Sequence, residues 1–151
     1  ESALQSRASG RVKFMDLRLS HIALAVPAIG PVLEKLQALA LENEHTHDVP
    51  TERVRAAMVP IVADGELRLE VLEPTSGDSP IAKFLEKRPS GGLHHVCFAV
   101  DDLDAWEKKL RDAGLEILAP GIRKAARGRA LFLHPKAMGG MLVELEEIAR
   151  P

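Results

Sequence analysis

Two histidines and two glutamates have the types and spacing to do chemistry in this chain: His21, Glu70, His95 and Glu144. The same interval of 74 residues separates His21 from His95 and Glu70 from Glu144 (95 − 21 and 144 − 70). Each of the four sits in an apolar, strand-like stretch, where successive side chains point to opposite faces. His21 then shares a face with Ala23 and Ala25, and His95 shares one with Cys97 and Ala99. The bulky Ile22, Leu24 and Val26, and Val96, Phe98 and Val100, fall on the opposite faces. Small residues beside a polar group leave room for a ligand, as a cavity wall requires. Glu70 and Glu144 have apolar neighbours on the opposite face, Leu69 and Val71 in one case and Val143 and Leu145 in the other. A buried carboxylate is costly unless a charge compensates it. Two carboxylates and two imidazoles at one shared interval therefore point to a divalent cation, and the set suits Co²⁺, Mn²⁺, Fe²⁺, Ni²⁺ or Zn²⁺. A six-coordinate ion would leave two positions for substrate or water. A lone strand histidine is more often a core or surface residue. The repeated interval is what favours metal ligation over simple His–Glu pairing.

The elements that must position these residues come in two matching series. Residues 18–26 read as a strand, 29–40 as a helix with Pro31 near its start, and 53–62 and 66–73 as strands joined at Asp64-Gly65. Residues 79–87 read as a short helix, with Ser79 as its cap and Pro80 at its first position. The pattern then restarts: strand 93–100, helix 102–113 ending at Gly114, and strands 128–134 and 140–147, turning through Gly139-Gly140. Aligned without a gap, residues 18–73 and 92–147 are identical at 15 of 56 positions, against roughly four expected by chance from ordinary composition. Such self-similarity predicts two fused βαβββ modules and an α+β fold with mixed sheet. The expected boundaries are a flexible tail over 1–15, a first module with linker over 16–89 and a second module over 90–149.

Composition narrows the classes of function. The chain has 151 residues, 46% of them hydrophobic, which fits a globular domain and excludes a disordered one. No apolar run nears the ~20 residues of a membrane-spanning helix, so no membrane partner is expected. Net charge is −2, aromatics are 3% and tyrosine is absent, which leaves neither the electrostatics nor the stacking surface for nucleic acid. Cys97 is the single cysteine. It admits no internal disulfide and is compatible with a reducing compartment, the cytoplasm or, in a eukaryote, the mitochondrial matrix. Cys97 reads as a small filler on the cavity face and Trp106 as core. His45 and His47 read as surface, and Arg123, Lys124, Arg127 and Arg129 as a solvated basic run rather than a phosphate site. Lys136 reads equally as a cation for a substrate carboxylate or phosphate and as a solvated loop lysine.

Several longer stretches narrow the reading further. They are His-Ile-Ala-Leu-Ala-Val-Pro over 21–27, Leu-Glu-Val-Leu-Glu-Pro over 69–74, Asp-Ser-Pro-Ile-Ala-Lys-Phe-Leu over 78–85, Gly-Leu-His-His-Val-Cys-Phe-Ala-Val-Asp-Asp-Leu over 92–103, Phe-Leu-His-Pro-Lys over 132–136 and Gly-Gly-Met-Leu-Val-Glu-Leu over 139–145. With them the chain resembles the vicinal oxygen chelate (glyoxalase/bleomycin resistance) superfamily, and within it the methylmalonyl-CoA epimerase family. The resemblance implies paired modules curled around one metal-lined cleft, usually in a homodimer. It implies His21, Glu70, His95 and Glu144 as ligands of a divalent ion, Co²⁺ first, with Mn²⁺, Ni²⁺, Zn²⁺ or Mg²⁺ as alternatives. Glu144 is implied as a catalytic base and Lys136 as a contact for an acyl-CoA substrate. His94 precedes the ligand and, by strand alternation, is expected on the opposite face. The chain departs from the family pattern where some members carry a second glutamate on the strand over 53–62: Ala56 stands there, and Arg53 replaces a glycine. Alanine cannot move a proton, so another group or water must serve the second face. Val32 and Ala40 stand near the places of the family's helix-1 aromatics and terminal glycine. The alternatives are a glyoxalase I-like lyase acting on a glutathione hemithioacetal and a non-catalytic small-molecule-binding member.

Overall fold

The computed structural model describes residues 17–61 and 67–148. The expected tail over 1–15 and the expected turn at Asp64-Gly65 lie outside the described residues. The elements run β1 (Leu17–Ala25), α1 (Ile29–Gln37), β2 (His45–Val49), β3 (Val54–Pro60), β4 (Arg68–Pro74), α2 (Pro80–Lys87), β5 (Gly92–Val100), α3 (Leu103–Asp112), β6 (Arg123–Ala125), β7 (Gly128–Leu133), a 3₁₀ turn (Pro135–Met138) and β8 (Leu142–Ile148). Two strands, β2 and β6, are additions to the sequence reading. Both are short and polar at the sheet edges, where neither face has to be apolar.

All eight strands form one curled mixed sheet in the order β2-β3-β4-β1-β5-β8-β7-β6. β1 and β4 are parallel, as are β5 and β8, and the other pairs are antiparallel. The order reads alike outward from the central β1·β5 seam, which is where the two similar stretches of sequence meet. The register along that seam slips twice: Leu19 pairs Phe98 and His21 pairs Cys97, leaving Ser20 over, while Ala23 pairs His95 and Leu24 pairs Leu93, leaving His94 over. These are two β-bulges, and 74 residues separate their extra residues, Ser20 and His94.

Alternation assigns the bulky side chains to the outer face, where two helices cover them. α1 packs Ile29, Val32, Leu33 and Leu36 on Val26, Ala57 and Val71. α3 packs Leu103, Trp106 and Leu110 on Val100, Leu131, Val143 and Leu145. Each helix is pinned at its first residue by a glutamate from the sheet. Glu73 Oε2 accepts from Ile29 N at 2.7 Å and Glu147 Oε2 from Leu103 N at 2.8 Å. The free N–H groups and positive dipole end of a helix favour a carboxylate there. α2 instead packs on the inner face, with Ile81, Phe84 and Leu85 over Ala23, Ala25, Val54, Ala56 and Leu72. Its cap is Ser79, fully buried, whose Oγ accepts from Ile81 N at 3.1 Å. The chain enters β5 through Gly91 at φ +86°, where a Cβ would overlap the carbonyl oxygen of Ala25. Only glycine fits that approach. No helix among the described residues is long and apolar enough to cross a membrane.

Candidate metal centre and active site

The ladder registers bring the four expected residues together on the inner face. Ala23 of β1 lies between Glu70 of β4 and His95 of β5. Cys97 of β5 lies between His21 of β1 and Glu144 of β8. Ala23 and Cys97 are both fully buried and form a flat floor, with one imidazole and one carboxylate rising beside each. The rings meet edge to face, and His21 Nε2 is 3.2 Å from His95 Nε2. Glu144 Oε2 lies 3.3 Å from His95 Nε2 and 3.7 Å from His21 Nε2. Glu70 reaches the same two nitrogens at 3.9 and 4.0 Å.

The separations among His21, His95 and Glu144 fit a common ion, and Glu70 stands just outside that close group. Ligands about 2.1 Å from one metal stand about 3.0 Å apart at right angles, about 3.4 Å at the tetrahedral angle and about 4.2 Å when opposed. Imidazole nitrogen with carboxylate oxygen is also the donor chemistry of divalent first-row ions. Without an ion the cluster balances itself with protons. Burial works against a charged His21, but the carboxylates of Glu144, Glu70 and Glu146 overcome it and raise its pKa. Burial pushes Glu144 up, yet hydrogen bonds from His21 and His95 prevail and hold it at about 2. Cys97, His21 and Glu146 form a second close group of donors. It shares His21 with the first, and burial, followed by the nearby carboxylates, pushes the Cys97 thiol well above its ordinary range. The thiol is a filler and not a nucleophile.

A cleft of about 800 Å³ opens over the quartet. Its walls include residues that the sequence placed at the surface. His45 and His47 are exposed, yet both line the cleft; their rings stack 5.2 Å apart and their strand partners are Met58 and Ala56. Arg123, Lys124, Arg127 and Arg129 also line it, and three of these four are engaged rather than simply solvated. Arg127 bonds Glu146 at 3.1 Å, Arg129 joins Glu147 to Asp104, and Arg123 lies over the Phe132 ring. Ala56 is almost wholly buried beside Ile81 of α2, so no proton carrier stands there. Lys136 is exposed on the 3₁₀ turn and is not among the residues lining the cleft.

His94 is the clearest correction. Strand alternation placed it on the outer face, but the bulge turns it into the cleft wall, where its Nδ1 lies 2.8 Å from His95 Nδ1. Burial, then the neighbouring His95, lowers its pKa to about 4, so it is neutral near pH 7. Phe84 of α2 meets its ring edge to face at 5.2 Å. On the other side of the site, Ser20 Oγ lies 3.3 Å from His21 Nδ1 and donates to Glu146 Oε1 at 2.6 Å. Sequence reasoning missed Ser20 and Glu146. The one signal was that Ser20 and His94 occupy the same place in the repeat.

Comparisons with known proteins bear on this geometry. Residues 20–132 match the Glyoxalase/Bleomycin resistance protein/Dioxygenase superfamily. The chain is 39% identical over 134 residues to the ethylmalonyl-CoA/methylmalonyl-CoA epimerase of Cereibacter sphaeroides, covering 87% of this chain and 98% of that one. It is 40% identical over 134 residues to the mitochondrial methylmalonyl-CoA epimerase of Bos taurus, covering 86% of this chain and 74% of the relative. A solved structure of a Streptomyces coelicolor methylmalonyl-CoA epimerase variant in complex with 2-nitronate-propionyl-CoA superposes with a TM-score of 0.77 at 36% identity, covering 88% of this chain and 98% of that chain. The chain belongs to the glyoxalase/bleomycin resistance protein/dioxygenase superfamily and, within it, to the methylmalonyl-CoA epimerase family.

Proposed function

We propose that this protein is an isomerase that inverts C2 of methylmalonyl-CoA by removing and returning a proton. The observation that carries the reading is the convergence of His21, Glu70, His95 and Glu144, from four neighbouring strands, at the floor of one cleft. These four residues would hold a divalent ion, with Co²⁺ as the first candidate and Mn²⁺, Ni²⁺, Zn²⁺ or Mg²⁺ as alternatives. Such an ion, when bound, supplies positive charge that lowers the cost of the enolate formed at C2.

The chain's own groups account for the rest. Glu144 presents an ionised carboxylate to the cleft, beside both imidazoles, and we assign it to accept the C2 proton. Inversion needs a second carrier on the opposite face. Ala56 cannot serve. Glu70 stands across the imidazole pair from Glu144, in the order β4-β1-β5-β8, and we assign it to that face. The inner face holds α2 over one part of the sheet, where Pro80 and Ile81 give the cleft an apolar wall. Lys136 lies outside the cleft wall, so its assigned role is to meet the part of an acyl-CoA that extends beyond the cleft. A homodimer belongs to the same reading, supported by Leu17, Leu19 and Ile148, which stay about two-fifths exposed. So does a cytoplasmic setting, or a mitochondrial one in a eukaryote, in line with the Bos taurus relative. A glyoxalase I-like lyase and a non-catalytic binding member have less support. The relatives carry the epimerase name, and a complete ligand quartet has no use in simple sequestration.

The test is deuterium uptake at C2 of one epimer in D₂O, with protein loaded with Co²⁺ and then stripped with EDTA. Metal-dependent uptake accompanied by inversion supports the reading. Uptake no faster than the spontaneous exchange overturns it.

A further inference from the structure

We infer that Ser20 and His94, the two bulge residues, are positioning residues that fix the orientation and tautomer of the ligand histidines, and that Glu146 completes the device. This rests on the metal-binding reading above and deepens it.

In regular strands the residue before a ligand points away from it. Here each seam strand carries one extra residue immediately before its ligand, and each extra residue is turned back toward that ligand. A bulge re-aims a side chain in this way at the expense of a ladder pair. The same irregularity occurs twice at the same 74-residue interval as the ligands themselves, which marks it as part of the site.

Hydrogen accounting then fixes the tautomer of a neutral His21 and admits the matching one at His95. Ser20 has one hydroxyl hydrogen, and it is committed to Glu146 Oε1 at 2.6 Å. Toward His21 Nδ1, at 3.3 Å, Ser20 Oγ can only accept. The hydrogen of a neutral His21 therefore sits on Nδ1, and its Nε2 lone pair faces the centre. His94 and His95 present Nδ1 to Nδ1 at 2.8 Å, a gap that holds one hydrogen. With that hydrogen kept on His95 when an ion takes the place of the Nε2 protons, its Nε2 lone pair also faces the centre, where the two Nε2 atoms are 3.2 Å apart. Both supports are themselves held. Arg127 pairs with Glu146, and Phe84 braces the His94 ring. Partners of this kind typically change metal affinity 10- to 100-fold when removed.

The test uses the full-length protein and Zn²⁺ as probe. Affinity is read by competition with a chelating indicator for wild type, Ser20→Ala, His94→Leu and the acceptor-retaining Ser20→Asn and His94→Gln. The expected result is about 10- to 100-fold weaker binding for Ser20→Ala and for His94→Leu, with the Asn and Gln variants returning to within a few-fold of wild type. Nitrogen-15 NMR of the Zn²⁺-loaded wild type gives a second readout that needs no variant: both His21 and His95 protonated at Nδ1 and ligated through Nε2. Wild-type binding with either ring ligated through Nδ1, or with folded Ser20→Ala and His94→Leu variants binding as wild type does, overturns the inference and leaves the metal reading standing. Wild type that takes up no Zn²⁺ overturns both.

Discussion

Replacing Glu144 by glutamine tests whether the metal-free centre is held by charge or merely tolerates it. Glu144→Gln keeps the shape and removes the negative charge that faces both imidazoles at 3.3 and 3.7 Å. In the folded, ion-free protein the carboxyl titrates at about 2 against an ordinary 4.5. A depressed carboxylate stabilises the fold above its unfolded value, and that contribution disappears as pH falls from 4.5 towards 2. The difference of 2.5 units (4.5 − 2) is worth about 3 kcal/mol. His21 moves the other way. Its raised value stabilises the fold below 6.5, and the contribution is lost as pH rises through the folded value. The two are opposite sides of one interaction, so the ion-free protein is most stable between them. Urea unfolding of EDTA-treated protein, followed by Trp106 fluorescence and circular dichroism, measures this. At pH 6 the variant is expected to be about 3 kcal/mol less stable than wild type, and near pH 2 the two converge. A variant equally or more stable at pH 6 would refute the reasoning. It would mean that the two carboxylates repel each other more than the histidines attract them.

Other outcomes follow from the same geometry. Glu70→Gln is expected to keep deuterium uptake into one epimer and lose inversion by at least tenfold; equal loss of both would remove Glu70 from the second face. Ser79→Ala deletes a buried helix cap and strands the Ile81 N–H, costing about 2 kcal/mol and about 4–8 °C in Tm; Ser79→Thr should recover most of it, and an unchanged Tm would sink the cap argument. Cys97, fully buried with its thiol pushed up, should resist Ellman's reagent at pH 8 in the native protein and react at once in denaturant. Lys136→Ala should raise KM for the acyl-CoA several-fold at constant kcat, and an unaltered KM would return Lys136 to the status of a solvated lysine.

The centre was legible because it is written twice. A single His or Glu in a strand carries little information, whereas the 74-residue interval picked out His21, Glu70, His95 and Glu144, and strand alternation put each His over a small neighbour. Alternation also misplaced His94, because a bulge adds a residue without leaving a mark in composition. β2 and β6 escaped for a related reason. His45–Val49 and Arg123–Ala125 lie on the sheet's edges, so their residues are polar and carry no period. The glutamates that pin α1 and α3 sit 44 residues from the helix starts they serve, beyond the reach of a local capping signal. The basic stretch looked solvated because its partners Asp104, Glu146 and Glu147 are near it only in the fold.

The β1·β5 seam bears on how the chain assembles. β4 pairs with β1, and β8 with β5, inside stretches of fewer than 60 residues (17–74 and 92–148), while the seam joins strands from different stretches. Closing longer loops costs more entropy and slows folding. Each half-sheet should therefore form ahead of the seam. At that stage one half holds His21 with Glu70 and the other His95 with Glu144, each a two-donor fragment too weak to retain an ion at low concentration. Full affinity arises only when the seam shuts. In a stopped-flow refolding experiment, capture of the ion should then coincide with the last kinetic phase, and a bound ion should act as a latch that slows unfolding more than it speeds folding.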